Sequence, residues 1–168
     1  NLKGTANLIP SLLANEVDAF IGPSPFPELA KVEDTGKIIF DLRDLPPSGQ
    51  WHNFPCCVFS ANSDALAANP AEIEAFYEVL TTAANFANAN KEETGLIVSE
   101  WMGVNEEAAK NTITHFTTDA DDNWMKNVEV TFDSLQATDK FEGSLKGKSF
   151  GEIKDQVIDL TIEQKVVK

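Results

Sequence analysis

Every proline in the chain lies at or before Pro70, and none follows it. Proline fixes φ and removes a backbone donor, so it breaks helix interiors and central strands. The first 70 residues must therefore be short elements joined by turns, while the rest is free to form long helices. Leu8, Ile9, Leu12 and Leu13 fall at helical spacing within residues 5–15, with Pro10 near the start. Val17–Ile21, Lys37–Leu42 and Pro55–Ala61 read as three short strands, the first stopped by Gly22-Pro23. A helix is expected over Ser24–Glu33, closed by Gly36, and a turn at Pro46–Gly49. This alternation predicts an α/β fold, with short strands in the first third and a helix-rich C-terminal half.

The second half reads more sharply. Asn69 precedes Pro70, a good pairing of N-cap and first helical residue. Ile73, Phe76, Tyr77, Leu80, Ala84 and Ala87 then form one apolar stripe. Asn90 with Glu93 has capping-box spacing ahead of a helix carrying Leu96, Ile97, Trp101 and Met102 and ending at Gly103. Asn105 starts another helix, and Thr118 or Asp119 starts one carrying Trp124, Val128, Phe132 and Leu135. The tail from Ser149 to Val167 is expected to be a helix followed by a short extended end.

Charge narrows the function. The 168 residues carry 27 Asp and Glu against 13 Lys and Arg, a formal net charge of −14. Phosphate binding needs clustered basic residues, so nucleic acid and anionic membrane surfaces are poor partners. Hydrophobic residues make up 42%, enough for a packed core. The first residue is Asn1, so the chain is expected to have lost its natural beginning.

No catalytic signature emerges. Gly143–Ser149 is one residue short of a phosphate-binding loop and follows no hydrophobic strand, so it reads as a surface turn. Asp119, Asp121 and Asn123 begin with calcium-loop spacing, but Trp124 replaces the glycine and Val130 the closing glutamate. His52 and His115, the two histidines, have no partner at metal-ligand spacing. His52 lies in an aromatic stretch, Trp51–Phe54, that suits a pocket wall. Cys56 and Cys57, as strand neighbours, should point to opposite faces and be buried. No catalytic residue, metal or cofactor is expected.

Several segments resemble, in order, the periplasmic binding proteins for nitrate, sulfonates, taurine and thiamine-pyrimidine precursors, an NMT1-like family of the type II periplasmic-binding-protein fold. Leu13–Phe26 is similar to the family's helix and G-x-V-D-A strand, with Asn15 in the usual Gly place and Gly22-Pro23-Ser24-Pro25 replacing Trp-x-Pro. Gly36–Asp41 resembles a second family strand. Asn69–Phe76 resembles the N-P-E-x-V-x-A-F helix, residues 88–104 the segment ending in G-V, and Val157–Thr161 the closing V-D-L-S.

The resemblance implies a non-enzymatic, extracytoplasmic solute-binding component of an ABC importer. It would be periplasmic or extracellular, with a lipid anchor on the full-length protein. Residues 1–50 would end lobe II and make the return crossing, and 51–168 would complete lobe I with a helical tail. The implied partners are a small-molecule ligand and the permease. The ligand-binding residues would be Gly22, Pro23, Ser24, His52 and Asn53. Two alternatives stand beside this: a non-catalytic interaction module prone to self-association, and a relative of thiamine-pyrimidine synthases, whose cysteine run Cys56-Cys57-Val58-Phe59 echoes.

Overall fold

The computed structural model describes residues 2–52, 55–112 and 115–167. Its contacts divide the chain into two compact units: Asn1–Asp41 with Asn85–Phe116, and Leu42–Ala84 with Thr117–Lys168. Among the described residues there are nine α-helices and no strand, which overturns the expected α/β, type II periplasmic-binding-protein-like architecture. They are α1 (Leu8–Leu13), α2 (Phe26–Val32), α3 (Ser63–Ala68), α4 (Pro70–Ala89), α5 (Lys91–Met102), α6 (Glu106–Thr112), α7 (Asp122–Ala137), α8 (Phe150–Val157) and α9 (Glu163–Val166).

The three strand-like segments exist as irregular chain apart from Leu42, which opens a 3-10 turn, and no segment among the described residues pairs with them. The reason is physical. A strand is stable only where a neighbour accepts its ladder of hydrogen bonds, and apolar pattern supplies the side chains but not the neighbour. Their apolar residues are correspondingly exposed, Ile21 at 79% and Ile39 at 82%. Cys56 and Cys57, expected buried on such a strand, are both exposed.

The first unit is built on close approach. α6 packs on α5 and on α2, and α2 meets α1. Ala108 and Ala109 are fully buried, and Gly95 faces Lys110 so tightly that a Cβ there would stand 2.8 Å from the Lys110 Cα. Gly103, at φ 66, ends α5, and the Asn105 side chain caps α6 by accepting from the Glu107 and Ala108 amides at 2.9 and 3.2 Å. Lys110 bridges Glu106 at 2.8 Å and Glu92 at 3.1 Å, and these two hydrogen-bonded carboxylates raise its pKa. Asn88 closes the unit with both ends of its amide: Nδ2 donates to the Phe116 carbonyl at 2.7 Å, and Oδ1 accepts from the Phe116 amide at 2.8 Å. The capping box expected at Asn90 does not form; the Asn90 side chain instead donates back to the Phe86 carbonyl at 2.9 Å.

The second unit has an aromatic core. Phe132 of α7 stacks on Phe141 at 4.6 Å between ring centroids and meets Phe150 of α8 at 5.6 Å. Ile153 completes the cluster, with Met125, Val128, Leu145 and Ile158 packed around it. Burying each such side chain contributes about 1.5–3 kcal/mol. α7 begins at the Asp121 cap, which accepts from the Trp124 amide at 2.7 Å, slightly later than the expected start. Asn62 caps α3, a helix that the sequence reading leaves as chain; Asn62 followed by Asp64 is the signal for it. The expected extended end is the short helix α9, tied to α4 by Lys165–Glu74 at 3.0 Å. A capping box does form at α8, where the Ser149 amide and hydroxyl both donate to Glu152 Oε2 at 2.8 Å.

Two tests follow from this packing. Gly95→Ala gains helix propensity of about 1 kcal/mol but drives a methyl into backbone, so a net loss of about 1–2 kcal/mol is expected by urea unfolding. Gly151→Ala, with open space around it in α8, is expected to stabilise by about 0.5 kcal/mol in the same assay. The hydrogen bonds from Ser149, chiefly its amide, and the nearby Lys148 charge lower the Glu152 pKa. A depressed carboxylate stabilises the fold above its unfolded pKa and loses that contribution as pH falls through its folded value. The stability gap between the parent and Glu152→Gln should therefore be present at neutral pH and close below the ordinary glutamate range.

Candidate functional site

The loop between residue 21 and α2 holds three of the expected ligand contacts. Gly22 is pressed against α1: a Cβ there would sit 2.7 Å from Leu8 Cδ1 and 3.3 Å from the Phe20 ring. Only glycine allows that approach without displacing Leu8, which is itself buried. Pro23 offers no amide donor, and its carbonyl accepts from the Phe26 amide at 3.2 Å. Ser24 Oγ donates to Glu28 Oε1 at 2.9 Å. With its proton so engaged, the Ser24 oxygen presents lone pairs, so in this state it acts as an acceptor. Glu28 Oε2 is buried and has no hydrogen-bond partner among the described residues. Glu28 is the residue that sequence reasoning missed here; its four-residue spacing from Ser24 was the available signal.

A second feature of the same unit is a shallow hollow of about 450 Å³ lined by Leu2, Lys3, Asn7, Pro10, Ser11, Ala14 and Glu16. That volume is in the range of small-molecule sites. Ser11 is buried on α1 and donates to Glu16 Oε2 at 2.9 Å, a pair made adjacent by the left-handed Asn15 at φ 56. Neither residue stands out in the sequence, because the turn that joins them is a conformation and not a motif.

The remaining sequence candidates behave differently. His52 belongs to the second unit, where its Nε2 lies 3.4 Å from Asp44 Oδ1, with both side chains more than half exposed. Asn53 lies outside the described residues. The near-miss phosphate loop is a turn whose backbone is occupied by Gln136: its Nε2 donates to the carbonyls of Leu145 and Lys148 at 3.2 and 2.6 Å. Lys146 and Lys148 pair with Asp139 and Glu152. In the near-miss calcium loop, Asp121 serves as the α7 cap. Among the described residues no group of three or more His, Cys, Asp or Glu is placed to hold a metal. A hollow of about 220 Å³ in the second unit, lined by Met125, Lys154, Asp155, Ile158, Leu160 and Gln164, is smaller than most ligand sites.

A family model described as the NMT1-like family matches residues 3–103. The chain belongs to the NMT1-like family. Membership points to a function of the solute-binding, periplasmic-binding-protein type, with small-molecule binding as its general activity. No curated protein and no solved structure matches the chain. In this NMT1-like chain the matched stretch holds the Gly22–Ser24 loop, the α1 hollow and His52, and it stops at the left-handed Gly103. α6 to α9 lie beyond it.

Gly22→Ala should cost about 1–3 kcal/mol by urea unfolding, because the added methyl must displace Leu8 from its packed position. A variant of unchanged stability would show that the loop is not pinned to α1.

Proposed function

We propose that this chain belongs to the extracytoplasmic solute-binding component of an ABC importer. The observation that carries the reading is the family match over residues 3–103, which takes in the loop and hollow of the first unit. The ligand is a small molecule of the nitrate, sulfonate, taurine or thiamine-pyrimidine type, held without bond making or breaking. Ligand stabilises a closed arrangement of lobes by contacts the open one lacks, and the permease reads the closed form.

Gly22, Pro23 and Ser24 contribute to the ligand site. Ser24 supports this role through its polar oxygen beside Glu28. Its engaged proton favours ligands that bring N–H groups, such as a taurine ammonium or an aminopyrimidine, over nitrate. A second reading, an interaction module that self-associates, is favoured by one observation. Leu96, Ile97, Trp101 and Met102 of α5 are exposed, Trp101 at 84%. Exposed apolar residues gathered on one element mark contact surfaces.

A thermal-shift screen with nitrate, bicarbonate, taurine, alkanesulfonates and thiamine pyrimidines separates the two. A ligand at about 100 times its Kd adds about 2.7 kcal/mol to the stability of the state that binds it. The solute-binding reading expects one ligand to raise Tm in this way, and Ser24→Ala to reduce the shift. If no ligand moves Tm while light scattering finds dimers, the interaction reading replaces it.

A further inference from the structure

The chain has two cysteines, they are adjacent in sequence, and both are exposed and free. On a flat strand their side chains would diverge to opposite faces. Here the segment is irregular, and Cys57 lies close enough to Cys56 to perturb its thiol. That contact, with partial burial and the neighbouring sulfur's charge, raises the Cys56 pKa, so the thiol rather than the thiolate is the resting form at neutral pH. They belong to the second unit and to neither the Gly22–Ser24 loop nor the two hollows.

Two paired thiols have three ordinary fates, and geometry sorts them. A direct disulfide is disfavoured: consecutive Cα atoms are about 3.8 Å apart, whereas disulfides usually span about 4.4–6.8 Å between Cα atoms. A zinc-type site needs four ligands, and among the described residues no third His, Cys, Asp or Glu joins the pair. A soft centre with two open positions fits both limits. It needs only two sulfurs, and one atom between them lengthens the bridge and relaxes the ring that a direct bond would strain.

We propose that Cys56 and Cys57 form a vicinal dithiol site that chelates soft, thiophilic centres with two open positions, of which trivalent organoarsenicals are the representative class. With phenylarsine oxide, two As–S bonds form and the arsenic–oxygen bond breaks. The oxygen leaves as water carrying both thiol protons, and arsenic stays trivalent, so no oxidant is required. The site is independent of solute binding in the loop.

Titrating the reduced chain with phenylarsine oxide, followed by intact-mass spectrometry and thiol counting, tests this. The expected result is one arsenical per chain, with both thiols lost together and restored by 2,3-dimercaptopropanol but not by a monothiol. Cys56→Ser and Cys57→Ser, both at exposed positions, should each weaken binding about 100-fold or more, because the second sulfur acts at high effective concentration. Two independent adducts per chain, a cross-link between two chains, or a single variant that binds as tightly as the parent would overturn the proposal.

Discussion

The contact between Gly95 and the backbone of Lys110 governs the first unit. It brings α5 and α6 closer than side chains of ordinary size permit, and Ala108 and Ala109 vanish into the same seam. Because α6 also packs on α2, and α2 on α1, the position of the Gly22–Ser24 loop depends in sequence on that seam. Interiors are close-packed, so a shift at one helix contact passes to the next with little loss. The charged Lys110 adds hydrogen bonds to Glu92 and Glu106 along the edge, but exposed pairs of this kind contribute little; the small residues decide the geometry.

What the sequence revealed and what it hid follow one division. Helices satisfy their own backbone, so their signals are local and could be read: Asn69-Pro70 opens α4, Asn105 caps α6, and Gly103 ends α5 in the left-handed conformation. Strands need a partner elsewhere in the chain, and no local pattern reports whether one is present. Residues 17–21, 37–42 and 55–61 have strand composition and no partner among the described residues, so the α/β reading failed there. Asn15 is an instructive intermediate. The asparagine adopts φ 56, the left-handed region that glycine favours, a conformation that its short polar side chain tolerates but that its sequence position does not announce.

The loop was legible as a position but not as chemistry. Gly22-Pro23-Ser24 marks a break between elements, which any reader of turns would find. That the Ser24 hydroxyl is spent on Glu28, turning a two-way hydrogen-bonding group into an acceptor, depends on a helix placing residue 28 over residue 24. The cysteine pair reversed the expectation more sharply. Its thiols were assigned to opposite faces of a strand and to the interior, and without that strand both are exposed.

The unpaired segment Ile38–Phe40 has a further consequence for how the chain behaves in a crowd of its own copies. Three consecutive apolar residues, at 48%, 82% and 53% exposure, stand beside backbone donors and acceptors that no ladder occupies. Such a stretch can template pairing between molecules, and two features oppose it. Lys37 and Asp41 bracket the stretch with opposite charges, the gatekeeper arrangement found beside aggregation-prone runs. The net charge of −14 keeps whole molecules apart. That repulsion reaches only about 8 Å at physiological ionic strength and shrinks further as salt rises. The colloidal stability of the chain is therefore tied to ionic strength.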